Sequence, residues 1–244
     1  MNSPEPERSG PIRFKPKRSH PAFPVQLLAV PATIAILGAL LFIPAGRLNW
    51  LPAWMFLVAF AAFQGFFAIW ALRHDPGLVD ERMRVGANTK GWDKVLLFAY
   101  ALLLAGMLVI SGLDAGRFRL APVPVVLQAL GWAAGLLAGS LIWWTTSVNT
   151  FLSRTVRIQE ERGQKVIQDG PYAWVRHPMY LGLIVFMLSI PLMLGSGWGV
   201  VPAALIGILF ILRTALEDRT LHEELPGYPE YAKHVRFRLL PQVW

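Results

Sequence analysis

The chain has 244 residues, of which 55% are hydrophobic and only 16% charged, with a mean hydropathy of +0.45 and a formal net charge of +8. An ordinary soluble domain carries ~25% charged residues, so this composition excludes one and points to an all-α, polytopic membrane protein. The absence of cysteine excludes disulfides, thiolate metal sites and any cysteine nucleophile.

In chain order, residues 1–22 are basic and proline-rich, and they read as a disordered tail ahead of a single integral-membrane domain over 23–244. A spanning helix needs roughly 20 mostly apolar residues, and segments of that kind lie at 25–43, 51–71, 95–113 and 125–147. The apolar stretch 179–216 is broken by Gly195-Ser196-Gly197-Trp198-Gly199, a turn-rich run that makes it a tight helical hairpin. About six transmembrane helices result. The second limb of the hairpin is wholly apolar only to Leu212, short for a full crossing.

Lysine and arginine test the orientation, because positive loops stay on the cytoplasmic side. The N-terminal tail has five, the first loop one, the 72–94 loop five, the 114–124 loop two, the 148–178 segment five, the hairpin turn none and the C-terminal portion five. Alternate segments therefore hold twenty against three, which predicts that both termini and the 148–178 segment are cytoplasmic. The positive charge then faces anionic lipid headgroups, worth about 1 kcal/mol per nearby basic residue. No stacking or helix-turn-helix pattern interleaves the basic residues, so nucleic acid is not an expected partner.

Three polar clusters converge on the predicted cytoplasmic face: Asn149 to Lys165, Gly170 to Gly182, and Glu217 to Pro241. In the second, Arg176-His177-Pro178 starts the fifth span, since proline is tolerated in a first helical turn. The helix end there suits an anion, and a bare anchoring role for Arg176 and His177 is the competing reading. Tyr180 and Gly182 lie about one turn further in. Gly182 permits close approach of a neighbouring helix or of a flat ligand.

The third cluster opens with Arg213 and Glu217, spaced for an ion pair on one helical face. Glu217 stands nearest the lipid boundary, where a carboxylate is costly and tends to have a purpose. It would accept from a ribose or hold a cationic group. Beyond Pro226-Gly227, the aromatic and basic stretch 228–241 either lies flat in the headgroups or folds back as a lid, and periodicity favours the first. The five histidines are not spaced as a metal site on one helix.

Taken together, Asn149-Thr150-Phe151, Val156-Arg157-Ile158-Gln159, Gly170-Pro171-Tyr172, Arg176-His177-Pro178-Met179-Tyr180-Leu181-Gly182, Arg213, Glu217-Asp218, Tyr228, Tyr231, Val235 and Pro241 resemble the isoprenylcysteine carboxyl methyltransferase and phospholipid methyltransferase superfamily. The likeness covers residues 145–241. It implies an S-adenosylmethionine-dependent methyltransferase in the bilayer, acting on a lipophilic or small acceptor, with a prenylcysteine-type carboxylate or thiol favoured over a phospholipid amine. It further implies that Tyr172, His177, Tyr180, Gly182 and Glu217 form the cofactor pocket. Arg176 and a C-terminal arginine, Arg238 or else Arg236, would face the reacting end. Gln164 stands where many relatives have His, and Asp218 where they have a second Glu. Two other classes compete, an NADPH-dependent sterol-type reductase and a non-catalytic membrane protein or transporter.

Overall fold

The computed structural model describes residues 22–75, 78, 81 and 89–244, with side chains from residue 30 onward. The expected tail, 1–22, lies outside the described residues except for Ala22, and so does most of 76–88.

Seven α-helices make up the described chain: α1 (Ala22–Ala45), α2 (Leu51–His74), α3 (Gly91–Ser111), α4 (Val125–Val148), α5 (Pro178–Leu194), α6 (Val200–Glu224) and the short α7 (Tyr228–His234). No strand occurs among the described residues. A π-helical stretch, Gly112–Phe118, continues α3. Among the described residues, four helices are long and apolar enough to cross a membrane: α2, α3 with its π-helical continuation, α4 and α6. The apolar parts of α1 (Val30–Ala45) and α5 are shorter. The sixth segment is longer than its apolar run suggested, because α6 continues through the charged residues after Leu212 as far as Glu224.

The break between α5 and α6 follows from local chemistry. Pro191 interrupts the last turn of α5, and Gly195 ends it at φ +79°, a left-handed conformation glycine adopts without cost. Nearby, the Asp114 carboxylate accepts from the Ala121 and Trp198 N–H groups and the Ser196 hydroxyl. A buried carboxylate needs such donors. Together they tie the end of α3 to the α5–α6 turn, and the α1–α2 turn joins them through Arg47 and the Ala115 carbonyl.

Leu41, Met107, Leu108, Leu194 and Ile206 are almost fully buried between the helices, while Ile43, Val58, Phe98, Leu137 and Ile208 face outward. Such a belt suits lipid. There helix association rests on close packing rather than on the hydrophobic effect, and α5 supplies it by lying against both α4 and α6.

Candidate functional site

At the end of the bundle opposite the Asp114 knot, the helices part around a cavity of about 440 Å³. Small-molecule sites span roughly 300–1,000 Å³. Its membrane-side wall is apolar, with Tyr100 from α3, Ile142 from α4, Leu183 from α5 and Phe210 from α6. Its cap is the 149–167 segment, which has almost no regular structure and is instead knitted by side chains. Gln159 is buried, donates to the Phe151 carbonyl and accepts from Arg162, while the Gln164 side chain accepts from the Gln159 N–H. Arg157 anchors the cap to Glu81 through a doubly contacted, buried ion pair.

The C-terminal stretch takes the less favoured of its two expected dispositions. Instead of lying flat in the headgroups along its length, it folds back beside the cavity. Only Tyr228–His234 is helical. Tyr228 and Tyr231 are buried against Leu225 and line the cavity, and the Tyr231 hydroxyl donates to the Tyr172 carbonyl. Beyond them the chain runs alongside the start of α5, where the Arg176 and His177 N–H groups donate to the Phe237 and Arg238 carbonyls. Periodicity missed this because the partners lie some 60 residues away.

Asp218 organises the junction. Its carboxylate accepts from Arg176 Nε and Nη2 at 2.8 and 3.1 Å, from Arg238 Nε at 2.8 Å and from the Tyr228 hydroxyl at 2.9 Å. His177 Nε2 lies 3.1 Å from the same group, and a proton on that nitrogen completes the set. Arg176 Nη1 donates to the Val235 and Arg236 carbonyls. Four of the five N–H groups of Arg176 are therefore committed to Asp218 and the tail. Burial works against this charge, but the Asp218 carboxylate more than offsets it, so the guanidinium is held above its ordinary range. Burial likewise pushes the Tyr172, Tyr228 and Tyr231 hydroxyls up, keeping all three neutral.

Tyr172, His177, Tyr180 and Glu217 all line the cavity, as does Arg176. The Tyr180 hydroxyl donates to Glu217 Oε2. No other hydrogen bond to Glu217 forms among the described residues. The Tyr172 hydroxyl accepts from Asn149.

Three expectations meet a different arrangement. Gly182 does not line the cavity: a Cβ there would lie 2.7 Å from Ile142 Cγ1 and 3.3 Å from the Ala138 carbonyl, so the glycine serves close packing of α5 on α4. Arg238 reaches Asp218 and does not line the cavity, while Arg236 is exposed and contributes a backbone carbonyl to Arg176. Arg213 pairs not with Glu217 but with Asp93 of α3, by Nε at 2.7 Å and Nη2 at 3.2 Å, and its Nη2 also meets the Arg154 carbonyl. Asp93 is fully buried and also accepts from the Val156 N–H. Neither Asp93 nor the hub role of Asp218 was read from the sequence.

Residues 132–224 match the isoprenylcysteine carboxyl methyltransferase (ICMT) family. This covers α4, the cap, α5 and α6, the elements that build most of the cavity. No curated protein matches the chain.

Proposed function

We infer that this chain, a membrane methyltransferase of the isoprenylcysteine carboxyl methyltransferase family over residues 132–224, takes S-adenosylmethionine as its methyl donor. The observation that carries this reading is the cavity itself, polar beneath the 149–167 cap and apolar toward the helices, with Glu217 at the boundary. Such a site suits a donor with ribose hydroxyls and a cationic end beside an acceptor that arrives from lipid. The acceptor is lipophilic or small, a prenylcysteine-type carboxylate or a thiol.

The residues present fit the donor. Glu217 would accept from its hydroxyl or ammonium groups, Tyr172, Tyr180 and Tyr231 offer aromatic walls, and His177 stands beside them at the start of α5. Bound there, S-adenosylmethionine would supply an electrophilic methyl group on a sulfonium. The chain's own task is alignment, because holding two reactants in line supplies much of the rate enhancement of such a transfer. No protein nucleophile takes part. The folded-back tail and the knitted cap cover part of the cavity, and charge contacts beneath them are stronger than they would be in open water. The Asp218 hub holds that closure.

We further propose that the fold is one domain with six crossings and that the cavity opens on the cytoplasmic side. The twenty-to-three distribution of lysine and arginine supports this orientation.

The experiment is direct. Purified protein in detergent or nanodiscs should bind S-adenosylmethionine by calorimetry. It should also transfer a tritiated methyl group to one of three acceptors: a small thiol, a prenylcysteine or an aminophospholipid. Oxidation of NADPH without methyl transfer would instead indicate a reductase.

A further inference from the structure

The end of the bundle that carries the Asp114 knot holds a second, shallower pocket of about 500 Å³. Arg47 from the α1–α2 turn and Arg119 from just beyond the π-helical stretch both line it, together with Asn49 and with apolar walls from Trp50, Leu51 and Leu194. The segments at this end, 44–52, 112–124 and 195–199, contain three basic residues and one acid, so two of the three cations converge on one pocket. The acid is Asp114, which is buried and whose oxygens are taken by the Ala121 and Trp198 N–H groups and the Ser196 hydroxyl. Neither arginine of the pocket forms an ion pair among the described residues. The hydrogen bond of Arg47, from Nη2 to the Ala115 carbonyl, is long at 3.4 Å, and its Nε is shielded from solvent with no partner. A shielded donor left open is costly, and an ion or ligand is a common answer to it. Arg119 sits at φ +52°, a left-handed conformation uncommon outside glycine, held there by its N–H donating to the Asp114 carbonyl.

We propose that this pocket binds a phosphate group, carried by a phospholipid headgroup or free in solution, with Arg47 and Arg119 as its cations and Asn49 as a further donor. Guanidinium forks match phosphate oxygens in pairs, and a phosphate supplies the counter-charge that the protein does not. Leu48, Leu51 and Leu120, next to these residues in the chain, are exposed and give the acyl chains of a lipid an apolar surface to lie on. The site stands at the opposite end of the bundle from the capped cavity and does not depend on methyl transfer. Because its two arginines come from different turns, a bound phosphate ties the α1–α2 turn to the end of α3. A ligand that binds only the folded state stabilises it.

The test titrates full-length protein in detergent with phosphatidylglycerol, read by native mass spectrometry. In a separate arm it uses inorganic phosphate against chloride at equal ionic strength, read by thermal unfolding. Arg117 is exposed, lies two residues from Arg119 and does not line the pocket, so Arg117→Gln makes the same change of net charge outside the site. Wild type and Arg117→Gln should bind alike and unfold at a higher temperature when loaded. Arg119→Gln, an exposed substitution that leaves the fold intact, should bind about tenfold more weakly, the loss of a charge-assisted contact. Arg47→Gln should lose at least as much. Binding of the lipid alone identifies a headgroup site, binding of inorganic phosphate alone a free-phosphate site, and binding of both shows that the phosphate group suffices. Equal losses in Arg117→Gln and Arg119→Gln would reveal a diffuse charge effect and overturn the site. So would undiminished binding in both Arg47→Gln and Arg119→Gln, or no binding by wild type in either arm.

Discussion

Arg176 and Asp218, 42 residues apart in the chain, meet in a two-point contact of 2.8 and 3.1 Å that joins the start of α5 to α6. The same carboxylate holds Arg238 and Tyr228, so one side chain fixes the tail over the cavity. Removing one member of a buried charge cluster strands the others, at a cost of about 3–5 kcal/mol. Asp218→Ala should therefore lower the unfolding temperature, expose the C-terminal stretch to limited proteolysis and abolish measurable donor binding. Asp218→Asn, which keeps two acceptor contacts, should fall between. Unchanged proteolysis of the tail in Asp218→Ala would show that the hub does not hold it.

Glu217 separates binding from folding. It is only partly buried and has one hydrogen-bond partner among the described residues, Tyr180. Glu217→Gln should weaken S-adenosylmethionine binding about tenfold, the loss of one charge-assisted hydrogen bond of about 1.4 kcal/mol. Thermal stability of the ligand-free protein should move little. Calorimetry beside thermal unfolding separates the two effects.

Gly182→Ala should act in the opposite sense. Its new Cβ would meet Ile142 Cγ1 at 2.7 Å, a collision inside a helix contact rather than at the cavity. Overpacking of this kind costs about 1–3 kcal/mol. The expected outcome is a lower unfolding temperature with nearly normal affinity for the donor in the protein that remains folded.

Tyr172 gives a pH dependence with a definite sign. Burial raises its hydroxyl above the ordinary value of about 10, so the folded state favours the protonated form. That contribution is complete below about pH 10 and is lost as pH rises above it, so stability should fall on the alkaline side. Tyr172→Phe should flatten this fall. Unfolding in detergent between pH 8 and 11 measures it.

The tail offers a comparison between neighbours. Arg238 donates to Asp218, whereas Arg236 contributes its carbonyl to Arg176. Arg238→Ala should reduce turnover and loosen the tail. Arg236→Ala leaves the backbone contact in place and should change turnover by less than about twofold, within the small range of an exposed substitution.

The helices were legible because their signals are local. Apolar runs of the right length, Pro178 at a helix start and Gly195 at a helix end each act within a few residues. Tyr172, His177, Tyr180 and Glu217 were grouped by the family resemblance rather than by spacing, and all four line one cavity. Asp93, Asp218 and Glu81 were not, since their partners Arg213, Arg176 and Arg157 lie 120, 42 and 76 residues away. Helical spacing suggested Arg213 with Glu217 instead. The buried Asp93 carboxylate draws Arg213 more strongly because it has no water to compensate it. The 149–167 cap lacks any period, because side-chain hydrogen bonds to backbone carbonyls replace regular structure there.

The Asp114 knot makes the molecule behave like a pair of tongs pinned at one tip. With the end of α3 fastened to the α5–α6 turn there by two hydrogen bonds, any widening that admits a guest is expected at the other tip, where loops rather than helices span the gap. On the methyl-transfer reading proposed above, both reactants and products would pass through that tip alone.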